Sequence, residues 1–348
     1  MVIVSAVFVL AYTFIGGFLA ESVSDFMQAV VMIIALVFVL ALGITAAGGL
    51  NAVIGNARSI PGFLSLFTSA SPTGEAANGT ALFGAPVRYT GLSIASTLAW
   101  GLGYFGMPQV LLRFMGIRSE HELTRSRRVA TVWVVISLAS AVCIGLVGRV
   151  LFSDAYMAYG SGNTENIFIL MATSLIPPIL AGLVCAGILA AAISSSDSYL
   201  LISASAVSKN VWQGLIHKKA SDKEVMLVSR IMLVLITIFA VFVATGNNPV
   251  IFTIVDFAWA GFGAAFGPLM IFSLFWKRTT CAGAIAGMVS GGAMVFIWNF
   301  WISKLGGAWG IYELLPAFVF SCIVIVAVSL FTKKPDKKIL TEFDSVKA

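Results

Sequence analysis

Apolar residues fill this chain in runs of about twenty, separated by short stretches of Gly, Pro, Ser and charge. Twenty helical residues rise about 30 Å, enough to cross a hydrocarbon core. Read against their breakers, the runs predict nine transmembrane helices. They lie near 2–15, 21–45, 89–115, 129–152, 177–208, 226–245, 251–276, 281–301 and 315–332. The outer segment 46–88, with "SIPGFLS" and "SPTGEAANGT", predicts a loop carrying a short surface helix. Pro177 and Pro178 stand where a span begins, a position that tolerates proline because first-turn N–H groups have no intrahelical acceptor to lose. The fold class is an all-α polytopic membrane protein.

Composition agrees. Of 348 residues, 59% are hydrophobic and 10% charged, whereas a soluble domain carries about a quarter charged residues. The net charge of +6 does not signal nucleic acid, because its placement follows the connectors. Arg118, Arg125, Arg127 and Arg128 occupy one connector. Lys209, Lys218, Lys219 and Lys223 occupy the next basic one, followed by Lys277 and Arg278 and then Lys333, Lys334, Lys337 and Lys338. Every second connector is basic, and those between are nearly uncharged or, at 153–165, acidic. This alternation predicts a multi-pass protein of the plasma (inner) membrane with a cytoplasmic C-terminus. Counting back puts Met1 outside, with no positive residue to hold the first helix. The expectation is the C-terminal part of a longer transporter.

Other chemistry is sparse. Cys143, Cys185, Cys281 and Cys322 show neither metal-site nor disulfide spacing. Asn78-Gly79-Thr80 fits a glycosylation acceptor, a three-residue match common by chance. The two histidines, His121 and His217, fall in connectors, so no intramembrane pair exists to hold a haem.

Two apolar runs carry polar features. "AAAISSSDSYLLISASAVSKN", residues 190–210, places Ala191, Ser194 and Ser195 at i, i+3 and i+4, on one helix face. Two hydroxyls plus a backbone carbonyl freed near Ala191 would give three neutral oxygens, the ligand type a hard monovalent cation takes. The alternative is that these serines bond their own backbone or pack a small-residue interface. Asp197 lies in the same stretch, and Asp25 lies one turn into a span after Glu21. An ionisable group at membrane depth is a functional-site candidate, although either could be a hydrated charge near the interface.

"LAWGLGYFGMPQVLLRF", residues 98–114, sets Trp100, Tyr104 and Pro108 at i, i+4 and i+8 among Gly101, Gly103 and Gly106. Pro108 lacks the N–H that would reach back to Tyr104. The helix is expected to unwind or kink in mid-membrane, where irregular backbone is tolerated only beside protein or a cavity. Discontinuous helices of this kind build the solute sites of secondary transporters. The competing reading is an aromatic packing stripe. "AWAGFGAAFGP", residues 258–268, reads as close helix–helix packing with no ligand.

Together, "YTFIGGFLAESVSDFMQA", "LAWGLGYFGMPQVLLRFM", "AAAISSSDSYLLISASA" and "AWAGFGAAFGP" resemble the sodium/solute symporter family, its proline-carrying members most of all. The resemblance runs from near residue 6 to about 330. It implies a partial five-plus-five inverted-repeat, leucine-transporter-like fold lacking the first core helices. It implies sodium ligands at Ala191, Ser194 and Ser195, with Asp25 tied to sodium binding or release. It further implies a proline-binding region at Trp100, Tyr104 and Pro108. Two positions depart from the pattern: Met107 stands where several proline symporters have Gln, and Ser195 replaces a frequent Thr.

The resulting expectation is a symporter domain over 1–332 and a cytoplasmic tail over 333–348. It is a transporter rather than an enzyme, with sodium as coupling ion and no other cofactor. Its partners would be sodium, proline or a similar small solute, the lipid bilayer and, if separately encoded, the missing N-terminal segment, with no nucleic acid. The alternatives are another small organic solute, or a remnant without transport of its own.

Overall fold

The computed structural model describes residues 2–70, 72–75, 81–152, 166–245 and 251–345. Asn78-Gly79-Thr80 and the acidic connector 153–165 lie outside them. In chain order the helices are α1 (Val2–Ala46), α2 (Leu50–Arg58), α3 (Gly91–Ala99), α4 (Pro108–Met115), α5 (Glu120–Leu151) and α6 (Ile167–Leu175). They continue as α7 (Pro178–Ser205), α8 (Asp222–Ala244), α9 (Ile251–Phe275), α10 (Cys281–Ile297), α11 (Leu314–Phe331) and α12 (Lys337–Ser345). Short strands β1 (Thr68–Ser69), β2 (Pro72–Glu75), β3 (Ala81–Phe83) and β4 (Val87–Arg88) pair antiparallel, β1 with β4 and β2 with β3.

Among the described residues, seven helices are long and apolar enough to cross a membrane. The run at 2–15 is the beginning of α1, continuous with 21–45. Gly16 and Gly17 do not break it: glycine weakens a helix by about 1 kcal/mol but keeps its N–H donor. The run at 89–115 is helical but interrupted. In the most apolar window of each of the seven spans only 17–33% of residues are buried, and the rest present apolar surface outward. Helices whose backbone bonds close internally, wrapped in that surface, belong in a bilayer.

The chain divides into two compact units. One comprises residues 1–88 and 118–248. Its core gathers Ala35, Val39, Ile144, Val147, Met171 and Val184 from α1, α5, α6 and α7. Gly187 of α7 lies against Val31 and Ala35 of α1, letting the two backbones approach closely. The Trp133 Nε1 of α5 donates to the Ala29 carbonyl of α1 at 3.3 Å. The segment 46–88 holds the expected short helix, α2, and also the strand pairs, which no apolar alternation announced. Arg149 covers it, its guanidinium 5.2 and 5.0 Å from the Phe63 and Phe83 rings. At its far end α7 runs on as a π-helical segment, Ala206–Ile216. The turn that follows is clasped by Glu224, whose Oε1 accepts from Trp212 Nε1 at 2.9 Å and lies 2.8 Å from His217 Nδ1.

The other unit comprises residues 89–117 and 249–348. Gly283, Gly287 and Gly291 recur every four residues along α10, and a Cβ there would overlap Ser329, Ile325 and the Ala264 carbonyl respectively. That small-residue stripe seats α10 against α11 and α9. Ala260, Ala264, Val295, Leu314, Ala317 and Phe318 form the core. α12 folds back on the connector after α9, where Asp344 pairs with Lys277 and Phe343 lies under the same ammonium at 5.9 Å.

Candidate functional site

The predicted break in 89–115 is present. α3 starts at Thr90, whose hydroxyl caps it by accepting from Ser93 N at 3.1 Å. After Ala99 the chain tightens into a 3₁₀ segment, Trp100–Phe105, and α4 restarts at Pro108. Met107 is extended, with φ −73° and ψ 115°, the conformation that a following proline imposes. Trp100 and Tyr104 thus lie on a 3₁₀ segment and Pro108 on the helix that follows, so the three are not on one continuous α-helix, although both rings meet Trp259.

What holds the opened segment is α9. Trp100 stacks on Trp259 with ring centroids 5.4 Å apart and planes at 12°, and on Tyr312 at 5.9 Å and 19°. Trp259 Nε1 donates to the Trp100 carbonyl at 2.9 Å, and the Tyr104 ring meets Trp259 edge-on at 4.8 Å. A Cβ at Gly103 would overlap the Trp259 indole, and one at Gly106 the Phe262 carbonyl. The stretch 258–268 is therefore a packing surface, as its composition indicated. Tyr312 ties the arrangement together: its N–H donates to Ser96 Oγ and its hydroxyl to the Asp256 carbonyl, both at 2.9 Å. Burial, reinforced by the nearby Asp256 charge, pushes the Tyr312 phenol well above its ordinary range. Tyr104, 55% exposed, keeps the most open aromatic surface of the segment.

The serine-rich helix is unbroken. No carbonyl is freed near Ala191, because α7 stays α-helical through it. The Ala191 carbonyl instead accepts from Ser194 Oγ at 3.0 Å and Ser195 Oγ at 3.4 Å. Ser196 and Ser198 likewise donate back to the Ala192 and Ser194 carbonyls, at 2.7 and 3.1 Å. The helix thus shows the self-bonding alternative, while still gathering three neutral oxygens at one point. Continuity follows from sequence: "AAAISSSDSYLL" has neither Gly nor Pro. Asp197 is not a hydrated surface charge. It is fully buried, its Oδ1 accepting from Ser198 N at 2.8 Å.

Asp25 is half-buried on α1, which runs antiparallel to α7: residues 5–9 of α1 line one groove with 192–203, while Val31 meets Gly187. That groove, about 600 Å³, is lined by Ala192, Ser196, Tyr199 and Ser203 of α7 and by Thr237 of α8, residues on other positions than the Ala191 cluster.

Sequence reading passed over Trp259, Tyr312 and Ser96. The small residues around Trp259 masked it, and Tyr312 sits in a connector more than 200 positions from Ser96, where no periodicity points to it.

A membrane chain with one helix opened by glycine and proline, and another collecting hydroxyls in mid-span, has the build of a secondary transporter. A profile of the sodium:solute symporter family matches residues 1–291, and the chain belongs to that family. A sodium/proline symporter of Haemophilus influenzae is 40% identical over 343 residues, covering 96% of this chain and 64% of the relative. Sodium/proline symporter 2 of Staphylococcus saprophyticus is 38% identical, covering 98% and 64%. The osmoregulated proline transporter OpuE of Bacillus subtilis is 37% identical, covering 94% and 62%. The chain thus spans a little under two thirds of the length of these relatives. A solved structure of a Na+-coupled sialic acid symporter, in a substrate-bound outward-open state, superposes with a TM-score of 0.73 at 17% identity. It covers 97% of this chain and 67% of that one, and the fold here is accordingly part of the five-plus-five symporter fold.

Proposed function

We propose that this chain serves sodium-coupled symport of L-proline into the cell. The observation that carries the reading is the alignment of relatives named sodium/proline symporters over 96–99% of this chain, at 36–40% identity. Sodium is held by the Ala191 carbonyl and the Ser194 and Ser195 hydroxyls, which turn from the helix backbone to the ion, with Asp25 assisting entry or release. Proline binds at the opened helix: backbone groups near Trp100–Pro108 take its charged ends, and Tyr104 offers an apolar face to its ring. Residues 333–348 lie in the cytoplasm, in the membrane orientation that the basic connectors favour.

The driving force suffices. One charge crossing about 100 mV gains about 2.3 kcal/mol, and a tenfold sodium gradient adds about 1.4 kcal/mol. At one-to-one coupling that supports accumulation of several hundredfold.

The test is uptake of labelled L-proline by cells lacking their own carrier, with and without sodium. It is run for this chain and for a version extended to the full length of its relatives. Sodium-dependent uptake by the extended version is the expected result. Uptake indifferent to sodium sinks the coupling, and uptake of a different small solute instead reassigns the substrate. Activity confined to the extended version identifies this chain as a part that needs the remaining segment.

A further inference from the structure

Trp100 is the most heavily engaged ring of the opened helix. It lies between the Trp259 indole and the Tyr312 ring, nearly parallel to both. A solute therefore cannot stack on Trp100 without displacing one of them. Trp259 also grips the backbone, through its bond to the Trp100 carbonyl and its seat on Gly103. Tyr312 is anchored at two further points, Ser96 on α3 and the Asp256 carbonyl on α9. Its position is thereby set independently of the segment it covers.

We infer that Trp259 and Tyr312 are positioning residues. Acting through Trp100, they fix where the segment 100–105 presents its backbone and where Tyr104 presents its ring to the solute. The inference rests on the reading of this helix as the solute site. It changes the role of Trp100, which becomes the clamped part of the site while Tyr104 is the open one. The 3₁₀ segment closes its own short-range bonds but is a short piece between α3 and α4, and two aromatic faces and one indole N–H hold it against its neighbours.

Three variants separate this role from mere packing. Trp259→Leu and Tyr312→Leu each remove a ring from the stack, whereas Tyr312→Phe keeps the ring and loses only the hydroxyl bond to Asp256. In the version that transports proline, both Leu variants are expected to raise KM about tenfold or more, with turnover per folded carrier within about threefold and the Phe variant near wild type. A purely structural part would lower the amount of folded carrier and leave KM alone. A second readout needs no transport. Gly101 is exposed, with nothing near the position of a Cβ, so Gly101→Cys offers a thiol on the segment. Its alkylation by a maleimide, followed at that site by peptide mass spectrometry, is expected to run several times faster when Trp259→Leu or Tyr312→Leu is added. Unchanged alkylation overturns the inference whether or not proline moves. Faster alkylation with an unchanged KM overturns the link to solute. If the extended wild type moves no proline, the proposed function falls, while the alkylation still decides whether the two rings hold the segment.

Discussion

Trp259 and Trp100 are joined twice: their indoles stack at 5.4 Å, and the Trp259 Nε1 donates to the Trp100 carbonyl at 2.9 Å. The stack contributes about 0.5–1.5 kcal/mol and the bond about 1 kcal/mol. Trp100 opens a 3₁₀ run that closes its own i→i+3 bonds, and the α9 indole N–H adds a side-chain donor to the same carbonyl.

Two glycines of the opened helix, only two residues apart, should respond oppositely to a methyl group. At Gly101 a Cβ meets nothing within 4 Å, whereas at Gly103 it overlaps the Trp259 indole. Gly103→Ala is expected to cost about 1–3 kcal/mol by overpacking, with Gly101→Ala near neutral. Thermal unfolding of the purified variants in detergent measures the difference. Equal melting temperatures for the two would mean that Trp259 does not sit on Gly103.

Pro108 keeps the break open by two means, its missing N–H and the extended conformation it imposes on Met107. An Ala there restores the donor toward Tyr104 and removes an intrinsic bias of about 3 kcal/mol against helix interior. Pro108→Ala is expected to favour a continuous helix and to weaken proline affinity about tenfold or more, a loss of about 1.4 kcal/mol. Binding of labelled proline to the extended carrier checks it. Undiminished affinity would place the solute away from this break.

The break was legible because its causes are local: Gly and Pro act on the backbone of the residues beside them, so "WGLGYFGMP" announces its own geometry. The spans were legible for the same reason, since length and apolarity decide them. Two things were not. Gly16-Gly17 looked like a boundary but lies inside continuous helix, because a weak helix former still donates its hydrogen bond. Tyr312 clamps a ring 212 residues earlier in the chain, a relation created by tertiary packing that no window of sequence contains. The serine cluster was half legible. Spacing placed Ala191, Ser194 and Ser195 together, but the freed carbonyl was wrong, because nothing in that stretch breaks a helix.

The hydroxyls of Ser194 and Ser195 now satisfy themselves on the Ala191 carbonyl at 3.0 and 3.4 Å. Removing them costs folding little, because interhelical or back-bonded hydroxyls in membrane helices contribute only about 0.6 kcal/mol on average. Ser194→Ala and Ser195→Ala are therefore expected to fold normally yet to raise the sodium concentration for half-maximal proline uptake, about tenfold each if one ligand is lost. Uptake by the extended carrier across a sodium titration reads this directly. An unaltered sodium requirement would leave the serines as self-capped packing residues.

Glu313 gives the protein a pH dependence whose sign can be worked out. It is 7% exposed, and its Oε1 accepts from Asn299 Nδ2 at 3.1 Å. Burial pushes its carboxyl above the ordinary glutamate range, and the negative charge of Asp256 adds to the shift, outweighing the bond from Asn299. A carboxyl raised in the folded state binds its proton more tightly there than in the unfolded chain. Its contribution to stability is full below the unfolded value of about 4.3 and is lost as pH climbs through the folded one. Glu313→Gln keeps the shape and remains neutral throughout. The variant is expected to unfold at the wild-type temperature at about pH 4 and at a higher temperature at about pH 8, the gap opening above the ordinary carboxylate range. Melting curves across that interval decide it: a gap that opens on acidification instead would show that the Asn299 bond to the charged form, and not burial, governs this residue.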